Sequence, residues 1–201
     1  MKKRLLLFGF EKFDKLKSNP TIKIVQSLEQ RMKDIFDVHT TILPVKWGSK
    51  NVIQEITAFK PHYIVGFGVS GHPRIALERI ALNYFDAARP DNAGKIVRHR
   101  PIIPKAPLAL ETNFPIEKMN AFLQAQEIPS TISYHAHTYL CNYAYYLILH
   151  QLHEKKTNAK IIFIHVPFSP AEVNELEMNA PSFPVENTAE VVAKFLLKMR
   201  K

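Results

Sequence analysis

The sequence predicts an α/β fold in which parallel strands form a sheet covered by helices. Short apolar runs alternate with amphipathic segments of helical period over the first 70 residues, which is typical of parallel strands joined by helices. The chain has 201 residues, of which 46% are hydrophobic and 22% charged. Such a chain can bury a sizeable core, and we expect one domain over residues 1–201.

The first half of the chain carries the clearest elements. Residues 4–10 predict a strand. Asn19-Pro20 predicts a helix start, because the asparagine caps the helix and the proline ring presets its first turn; the apolar positions that follow at helical spacing are Ile22, Val25, Leu28, Met32 and Ile35. Residues 38–45 predict a second strand, residues 49–60 a helix that Pro61 stops, and residues 62–67 a third strand, with glycines at 66, 68 and 71.

The second half is less regular. Residues 74–86 look extended, and residues 90–115 contain five prolines and predict a long loop or hairpin. Residues 130–135 predict a strand, residues 141–153 a helix, and residues 161–166 a short apolar strand interrupted by His165. Residues 187–199 predict a final helix that buries Val191, Phe195 and Met199.

Composition limits where the protein acts and what it binds. The single cysteine excludes an intramolecular disulfide and favours a reducing compartment. The apolar run that follows the basic residues 2–4 is too short for a signal peptide, and no stretch approaches the roughly 18 apolar residues of a membrane span. The net charge is +9, from 27 basic and 18 acidic residues, but these charges are scattered apart from the two chain ends. We therefore expect a soluble cytoplasmic protein with neither nucleic acid nor membrane as partner, and retain a basic nucleic-acid-binding protein as a weak alternative.

Ligands of open α/β sheets bind beyond the carboxyl ends of the strands. Three candidate groups follow predicted strands: the loop from Gly9, the glycine-bearing loop from Gly66, and Cys141 after the strand of the 130s. His165 lies at the end of the strand of the 160s. We therefore expect a thiol and an imidazole to meet at one edge of the sheet.

Cys141 lies where a predicted turn becomes a helix, and the unpaired N–H groups of a helix start stabilise an anion such as a thiolate. The alternative is a small buried hydrophobe, as lone cysteines commonly are. His165 could accept the thiol proton and return it to a leaving amine, or it could be an ordinary core histidine. Glu78, in an alternating strand-like segment, could orient the histidine, or it could form a surface pair with Arg79.

Two histidine pairs have spacings that can bind zinc, His135 with His137 and His150 with His153. Neither pair has a cysteine or carboxylate partner at motif spacing. We therefore expect no functional metal.

Five short motifs together resemble the pyroglutamyl peptidase type I family, also called pyrrolidone carboxyl peptidases. They agree in order and spacing from residue 5 to the Pro181-Ser182-Phe183 region. They comprise Gly9-Phe10-Glu11-x-Phe13 with Asn19-Pro20; Glu78 to Asn83; Asp86 with Pro90-Asp91-Asn92; Thr138 to Asn142; and Phe163 to Pro167.

The resemblance implies what each matching residue does. A catalytic triad falls on Cys141, His165 and Glu78. The fold implied is a three-layer α/β/α sandwich around a mostly parallel, mixed central sheet, and many members assemble into a homotetramer. The substrate would be a peptide with an N-terminal pyroglutamyl residue, and no cofactor is implied. The residues expected to bind the substrate are Phe10, Phe13, Asn19, Tyr139, Leu140 and Arg89. Because pyroglutamate is a neutral lactam, a site for it needs flat apolar walls and a few hydrogen bonds, which Phe10 and Phe13 could help supply unless both are simply core residues.

The sequence departs from the family pattern in three places. Lys12 replaces the usual proline, and Asp14-Lys15 replaces a glycine pair. His137 replaces a usual glycine. The arginine that members place two residues after the aspartate comes one position late, so that Ala88 takes its place and Arg89 follows. In a regular strand Arg89 would point away from the site, whereas a local bulge would re-aim it, which Pro90 favours.

The sequence therefore predicts a cysteine peptidase that removes N-terminal pyroglutamyl residues through a thioester acyl-enzyme. The alternative suggested by the altered loops is a weak or inactive relative that binds lactams or peptide N-termini.

Overall fold

A six-stranded central sheet organises the protein. The computed structural model describes residues 1–13 and 17–200. The strands are β1 (Arg4–Phe10), β2 (Asp37–Leu43), β3 (Tyr63–Val69), β4 (Ile75–Glu78), β5 (Ile80–Leu82), β6 (Ala109–Glu111), β7 (Ser130–Ser133) and β8 (Lys160–Val166). The helices are α1 (Pro20–Met32), α2 (Asn51–Phe59), α3 (Ile116–Gln124), α4 (Leu140–Glu154), α5 (Pro170–Glu175) and α6 (Val185–Arg200).

The strand order in the main sheet is β2-β1-β3-β8-β4-β7. The first four of these strands are mutually parallel. β4 runs antiparallel to β8 and parallel to β7. The sheet is therefore mixed and mostly parallel, as the sequence predicts, and β5 leaves it to pair with β6 in a separate two-stranded ribbon.

Each face of the sheet supports its own apolar core. Along β8, Ile162 and Ile164 pack with residues of α1, α3 and α6 on one face, whereas Ile161 and Phe163 pack with residues of α2 and α4 on the other. This alternation follows from the two-residue period of a strand. The result is helix, sheet and helix in three layers, which confirms the predicted fold class.

The start of α1 is as predicted. The Asn19 side chain accepts a hydrogen bond from the Thr21 N–H, and Pro20 occupies the first turn. Val25, Leu28 and Met32 are buried, while Ile35 follows the end of the helix and packs against the core only in part. None of the described helices is long and apolar enough to cross a membrane.

Several expectations about the middle of the chain need correction. Residues 74–86 are not one extended segment, because the chain breaks at Arg79 between β4 and β5. β3 continues to Val69, so Gly66 and Gly68 lie inside the strand and not in a loop after it. Of residues 90–115, only residues 109–111 form a strand, β6, and it pairs antiparallel with β5.

Two short helices, α3 and α5, were not predicted. α3 has nine residues and no side-chain hydrogen bond at its N-cap, Pro115, so the usual start signal is missing. α5 has only six residues, although Ser169 and Glu172 form a capping box at its start. Helices this short depend on tertiary packing more than on their own propensity.

Candidate active site

Glu78 and His165 form a buried pair on one face of the sheet. The Glu78 carboxylate lies 2.7 Å from His165 Nδ1, and the two residues are only 2% and 3% exposed. Their strands are hydrogen-bonded neighbours, with Ala76 opposite His165 and Glu78 opposite Phe163. Glu78 is therefore not a surface partner of Arg79, which instead binds Glu111 and Glu117.

Cys141 and His165 meet above Gly68. A Cβ atom built on Gly68 would lie 2.8 Å from Cys141 Sγ and 3.0 Å from His165 Nε2. Such contacts are closer than atoms tolerate, so only a residue without a side chain leaves room for the thiol and the ring. Together with the carboxylate on Nδ1, this places the three predicted catalytic side chains in one group.

The charge state of His165 follows from its surroundings. Burial by itself lowers the pKa of His165. The hydrogen bond to Cys141 and the charge of that residue, followed by Glu78, outweigh burial and raise the pKa to about 10. Near neutral pH the ring is therefore an imidazolium, stabilised between the sulfur and the carboxylate.

The route by which these residues reach one edge differs in part from the prediction. β1, β3 and β8 are parallel and end at the same edge, as expected. β4 and β7 run the other way, so the expectation that the strand of the 130s delivers Cys141 directly from its carboxyl end is wrong. Residues 134–139 must instead lead the chain back to the edge, where the Thr138 hydroxyl donates to the Asp86 carbonyl.

The first turn of α4 carries Cys141 as its second residue, after Leu140. N–H groups in the first turn of a helix have no intrahelical acceptor and can bind an anion. The helix is fixed further along by Asn142, which exchanges hydrogen bonds with the backbone of Leu82. Tyr145 donates to the Glu78 carbonyl, so α4 also anchors the strand that bears the carboxylate.

Beside Cys141 lies a cavity of about 70 Å³. It has room for several water molecules, roughly the size of a small ring. Its walls comprise Phe10, Phe13, Asn19, Val45, Gly68, Val69, Arg89, Tyr139, Leu140 and Cys141. All six residues predicted from the sequence to bind the substrate therefore lie around one cavity with the thiol.

Phe10 is both a core residue and a wall of the cavity, the two roles considered from the sequence. It is 5% exposed and packs against Phe8 and Phe163, yet it also lines the cavity. Asn19 donates from its side chain to the Glu11 carbonyl and accepts from Thr21. Its amide therefore helps to hold the segment between Phe10 and Phe13 against α1.

Arg89 lies at the cavity, because the backbone bends at residues 88 and 89. Its guanidinium lies 5.7 Å from the centre of the Phe13 ring. The bend, and not a bulge in a regular strand pair, brings the displaced arginine to the site. The glycine pair replaced by Asp14-Lys15 falls outside the described residues.

The loop that carries Arg89 is tied down on both sides. Asp91 is buried and accepts three backbone N–H groups, those of Trp47, Ala93 and Lys95. Burial raises the pKa of Asp91, but these hydrogen bonds outweigh it and hold the pKa below its usual value. Asn92 donates to the Lys12 carbonyl, and Tyr139 donates to the Pro90 carbonyl, so the two cavity walls are joined.

The segment from Gly66, predicted to lie at the ligand-binding edge, supplies Gly68 and Val69 to the cavity. Sequence reasoning missed Val45 as a cavity residue and Asp91 as the centre of the loop that carries Arg89. Val45 could have been found, because it comes at the carboxyl end of a predicted parallel strand. For Asp91 the only sequence signal was its place in the Pro90-Asp91-Asn92 motif.

No group of three or more metal-ligating side chains is arranged around a possible ion within the described ranges. His150 stacks on Tyr146, and His153 pairs with Glu154. The His135 and His137 rings are 5.3 Å apart. His137 has a φ of 58°, in the left-handed region that favours glycine.

Comparison with known sequences places this architecture among relatives. The family model described as pyroglutamyl peptidase matches residues 3–196. A pyrrolidone-carboxylate peptidase of Pyrococcus furiosus is 38% identical over 173 residues, which cover 85% of this chain and 83% of the relative. Its counterpart in Aliivibrio fischeri is 34% identical over 194 residues, covering 95% of this chain and 90% of the relative.

Solved structures agree with the sequence relatives. A mutant pyrrolidone carboxyl peptidase from Pyrococcus furiosus superposes with a TM-score of 0.91 at 34% identity, covering 98% of each chain. The pyrrolidone carboxyl peptidase of Fervidobacterium islandicum gives a TM-score of 0.90 at 32% identity, covering 99% of each chain.

Proposed function

This chain belongs to the pyroglutamyl peptidase family, and from that membership we propose that it is a cysteine peptidase that removes N-terminal pyroglutamyl residues from peptides. We assign Cys141 as the nucleophile, His165 as the acid and base, and Glu78 as the residue that orients and charges His165. The observation that carries the assignment is the meeting of Cys141 and His165 above Gly68, with Glu78 bound to the other ring nitrogen of His165 and a small cavity beside Cys141.

The geometry supports the following steps. The Cys141 thiolate attacks the pyroglutamyl carbonyl carbon, and the C–N bond electrons leave with the amine as the tetrahedral adduct collapses. The His165 imidazolium gives its proton to the departing nitrogen, leaving a thioester on Cys141. Neutral His165 then takes a proton from water, whose oxygen attacks the thioester, and pyroglutamate leaves as the thiolate and imidazolium return.

The developing oxyanion needs donors already in place. The first-turn N–H groups of α4 around Cys141 are suited to this, because the positive end of the helix dipole lies there. Arg89 lines the same cavity and adds positive charge near the reacting carbonyl.

The cavity fits the acyl group. Phe10 and Phe13 provide flat apolar walls, and Leu140 and Val69 complete the apolar lining. No carboxylate lines this cavity among the described residues, in keeping with a lactam that carries no ammonium group. Asn19 acts through the loop it holds.

The proposal also covers the cellular compartment and the oligomeric state of the protein. The mechanism uses no cofactor, and the nucleophile must stay a free thiol, which suits the reducing cytoplasm. We also propose that the protein forms a homo-oligomer, as the family resemblance implies. The exposed large apolar side chains of Tyr84, Ile96 and Leu108 support this, since exposed apolar surface can mark a contact between proteins.

Release of a fluorescent amine from a pyroglutamyl amide, under reducing conditions, tests the function. The wild-type protein should release it, and a chelator should not change the rate. Cys141→Ser should lower kcat at least ~10³-fold, because the catalytic groups act as a unit. His153→Ala, on the same helix but paired only with Glu154, is the matched control and should keep its activity. A fully active Cys141→Ser variant would rule out the thiolate mechanism.

A further inference from the structure

A second pocket lies on the other side of His165. It measures about 190 Å³ and shares no residue with the cavity beside Cys141. Ser70, His72, Thr131, Ser133 and His137 line it together with His165. The end of β3 separates the two, because Val69 faces the cavity and Ser70 the pocket.

The proposed function requires a path for the rest of the peptide, and this inference rests on it. The pyroglutamyl ring occupies the cavity on one side of Cys141. The departing nitrogen must come within hydrogen-bond reach of His165 to receive its proton. The chain beyond the scissile bond therefore passes over His165, toward the pocket that His165 lines.

The pocket is polar and suited to a hydrogen-bond acceptor. Thr131, Ser133 and Ser70 contribute hydroxyl groups, while His72 and His137 are exposed imidazoles. Glu78 is the one carboxylate among the described lining residues; it is 2% exposed and already bound to His165. A carboxylate ligand would thus meet imidazole and hydroxyl donors, and the accessible surface offers no like charge to repel it.

His137 is held in an unfavourable backbone conformation. Its φ of 58° lies in the left-handed region, which is uncommon for residues other than glycine. Its ring packs edge-on against His135 at 5.3 Å and against His165 at 6.1 Å. Strain of this kind persists where the surroundings enforce it and is common at functional sites.

The charge of His137 depends on pH. Partial burial of the ring lowers the pKa of His137, and the nearby His165, His135 and His72 lower it further, whereas Glu78 opposes them. His137 therefore gains its charge at a lower pH than an ordinary histidine does. Attraction to a bound carboxylate should grow as the pH falls.

We propose that this pocket binds the residue that follows the pyroglutamyl group and that His72 and His137 make it select acidic side chains there. The pocket would therefore select among peptides by the first residue of the leaving group, whereas the cavity beside Cys141 recognises only the pyroglutamyl ring.

Three peptides that differ only at this residue test the proposal: pyroglutamyl-glutamyl, pyroglutamyl-alanyl and pyroglutamyl-lysyl peptides of otherwise identical sequence. Over a series from pH 5 to 8, the ratio of kcat/KM for the glutamyl over the alanyl peptide should be largest at the acid end, at about fivefold, the size expected for one exposed charge interaction. The ratio should fall as the pH rises, and the lysyl peptide should be the poorest substrate.

Variants identify the residues responsible. His137→Asn keeps a polar side chain that tolerates the backbone angle, so the ratio should lose its pH dependence. His72→Ala should also reduce the ratio. Because His72 is exposed, this variant remains available if the His137 variant does not fold. His153→Ala should leave the ratio unchanged.

The pyroglutamyl fluorescent amide, which has no following residue, separates the possible failures. If it is cleaved but the three peptides are cleaved equally, or the ratio survives in both His137→Asn and His72→Ala, the pocket proposal is wrong and the proposed function stands. If the wild-type protein cleaves neither the amide nor the peptides, the proposed function is wrong and the pocket proposal with it.

Discussion

His165 lies between two groups that each attract its proton, the Cys141 sulfur and the Glu78 carboxylate. Burial favours the neutral ring, but both neighbours favour the imidazolium and raise the pKa of His165 to about 10. The residue therefore begins the reaction as an acid, with its proton ready for the leaving amine. A free histidine, with a pKa of about 6.5, would be mostly neutral at the same pH.

The fall of kcat/KM at alkaline pH, the alkaline limb of the pH profile, should reflect the loss of the proton on His165. As pH rises through about 10, the imidazolium of His165 is lost, and kcat/KM for the pyroglutamyl amide should fall. Glu78→Gln keeps an acceptor for Nδ1 but removes the charge, so the pKa of His165 should fall and the limb should move down by about one pH unit or more. A profile of kcat/KM from pH 5 to 11 measures the shift.

His153→Ala is the control for that profile, because its ring lies on α4 and pairs with Glu154. Its alkaline limb should coincide with that of the wild-type protein. An unchanged limb in Glu78→Gln would mean that the carboxylate does not govern the charge of His165.

At the scale of elements, the end of β3 is the support on which the thiol and the imidazole lie. Gly68 is opposite His165 in the β3–β8 pairing and beneath Cys141 of α4. One backbone position thus fixes the approach of a helix to a strand. The catalytic geometry depends on the absence of a single methyl group.

Gly68→Ala should lower kcat about 10²-fold or more, because the added Cβ lies 2.8 Å from Cys141 Sγ and a displacement of about 1 Å at reacting groups has this effect. Gly71→Ala is a matched control three residues along the same segment, since a Cβ there meets no atom within 4 Å. Turnover of the pyroglutamyl amide and circular dichroism should be measured for both. Equal turnover in the two variants would contradict the close approach.

The sequence predicted local features well, but it did not predict the directions of the strands. The cap at Asn19 is local, so neighbouring residues reveal it, whereas the burial of Glu78 depends on the distant His165 and stayed open. The reversed direction of β4 and β7 is set by which strands pair far along the chain, and no local pattern encodes it. Likewise, the orientation of Arg89 depends on a bend and on the distant Phe13, so two outcomes stayed open.

At the scale of the whole molecule, the segment that joins β5 to β6, residues 83–108, exposes large apolar side chains. Leu108 is 73% exposed and Ile96 51%. Tyr84 lies close to Leu108, because the N–H of the neighbouring Asn83 donates to the Leu108 carbonyl. This surface is where we place a contact between copies of the chain.

Leu108→Asp should shift the protein toward monomers, because a buried unpaired charge costs several kcal/mol at such a contact. Sedimentation velocity over a range of concentrations measures the assembly. Gln54→Asp, which adds the same charge on the exposed side of α2, should leave the assembly intact. A wild-type protein that sediments as a monomer at all concentrations would end the proposal.

The position of β8 has a consequence for synthesis on the ribosome. β8 joins β3 to β4 in the middle of the sheet, yet it comes after residue 159 in the chain. Until it emerges, the nascent polypeptide has two separate half-sheets, each with an open edge that invites wrong pairing. The same strand brings His165, so a nascent fragment that ends before β8 has a thiol but lacks the imidazole it needs to cut a peptide.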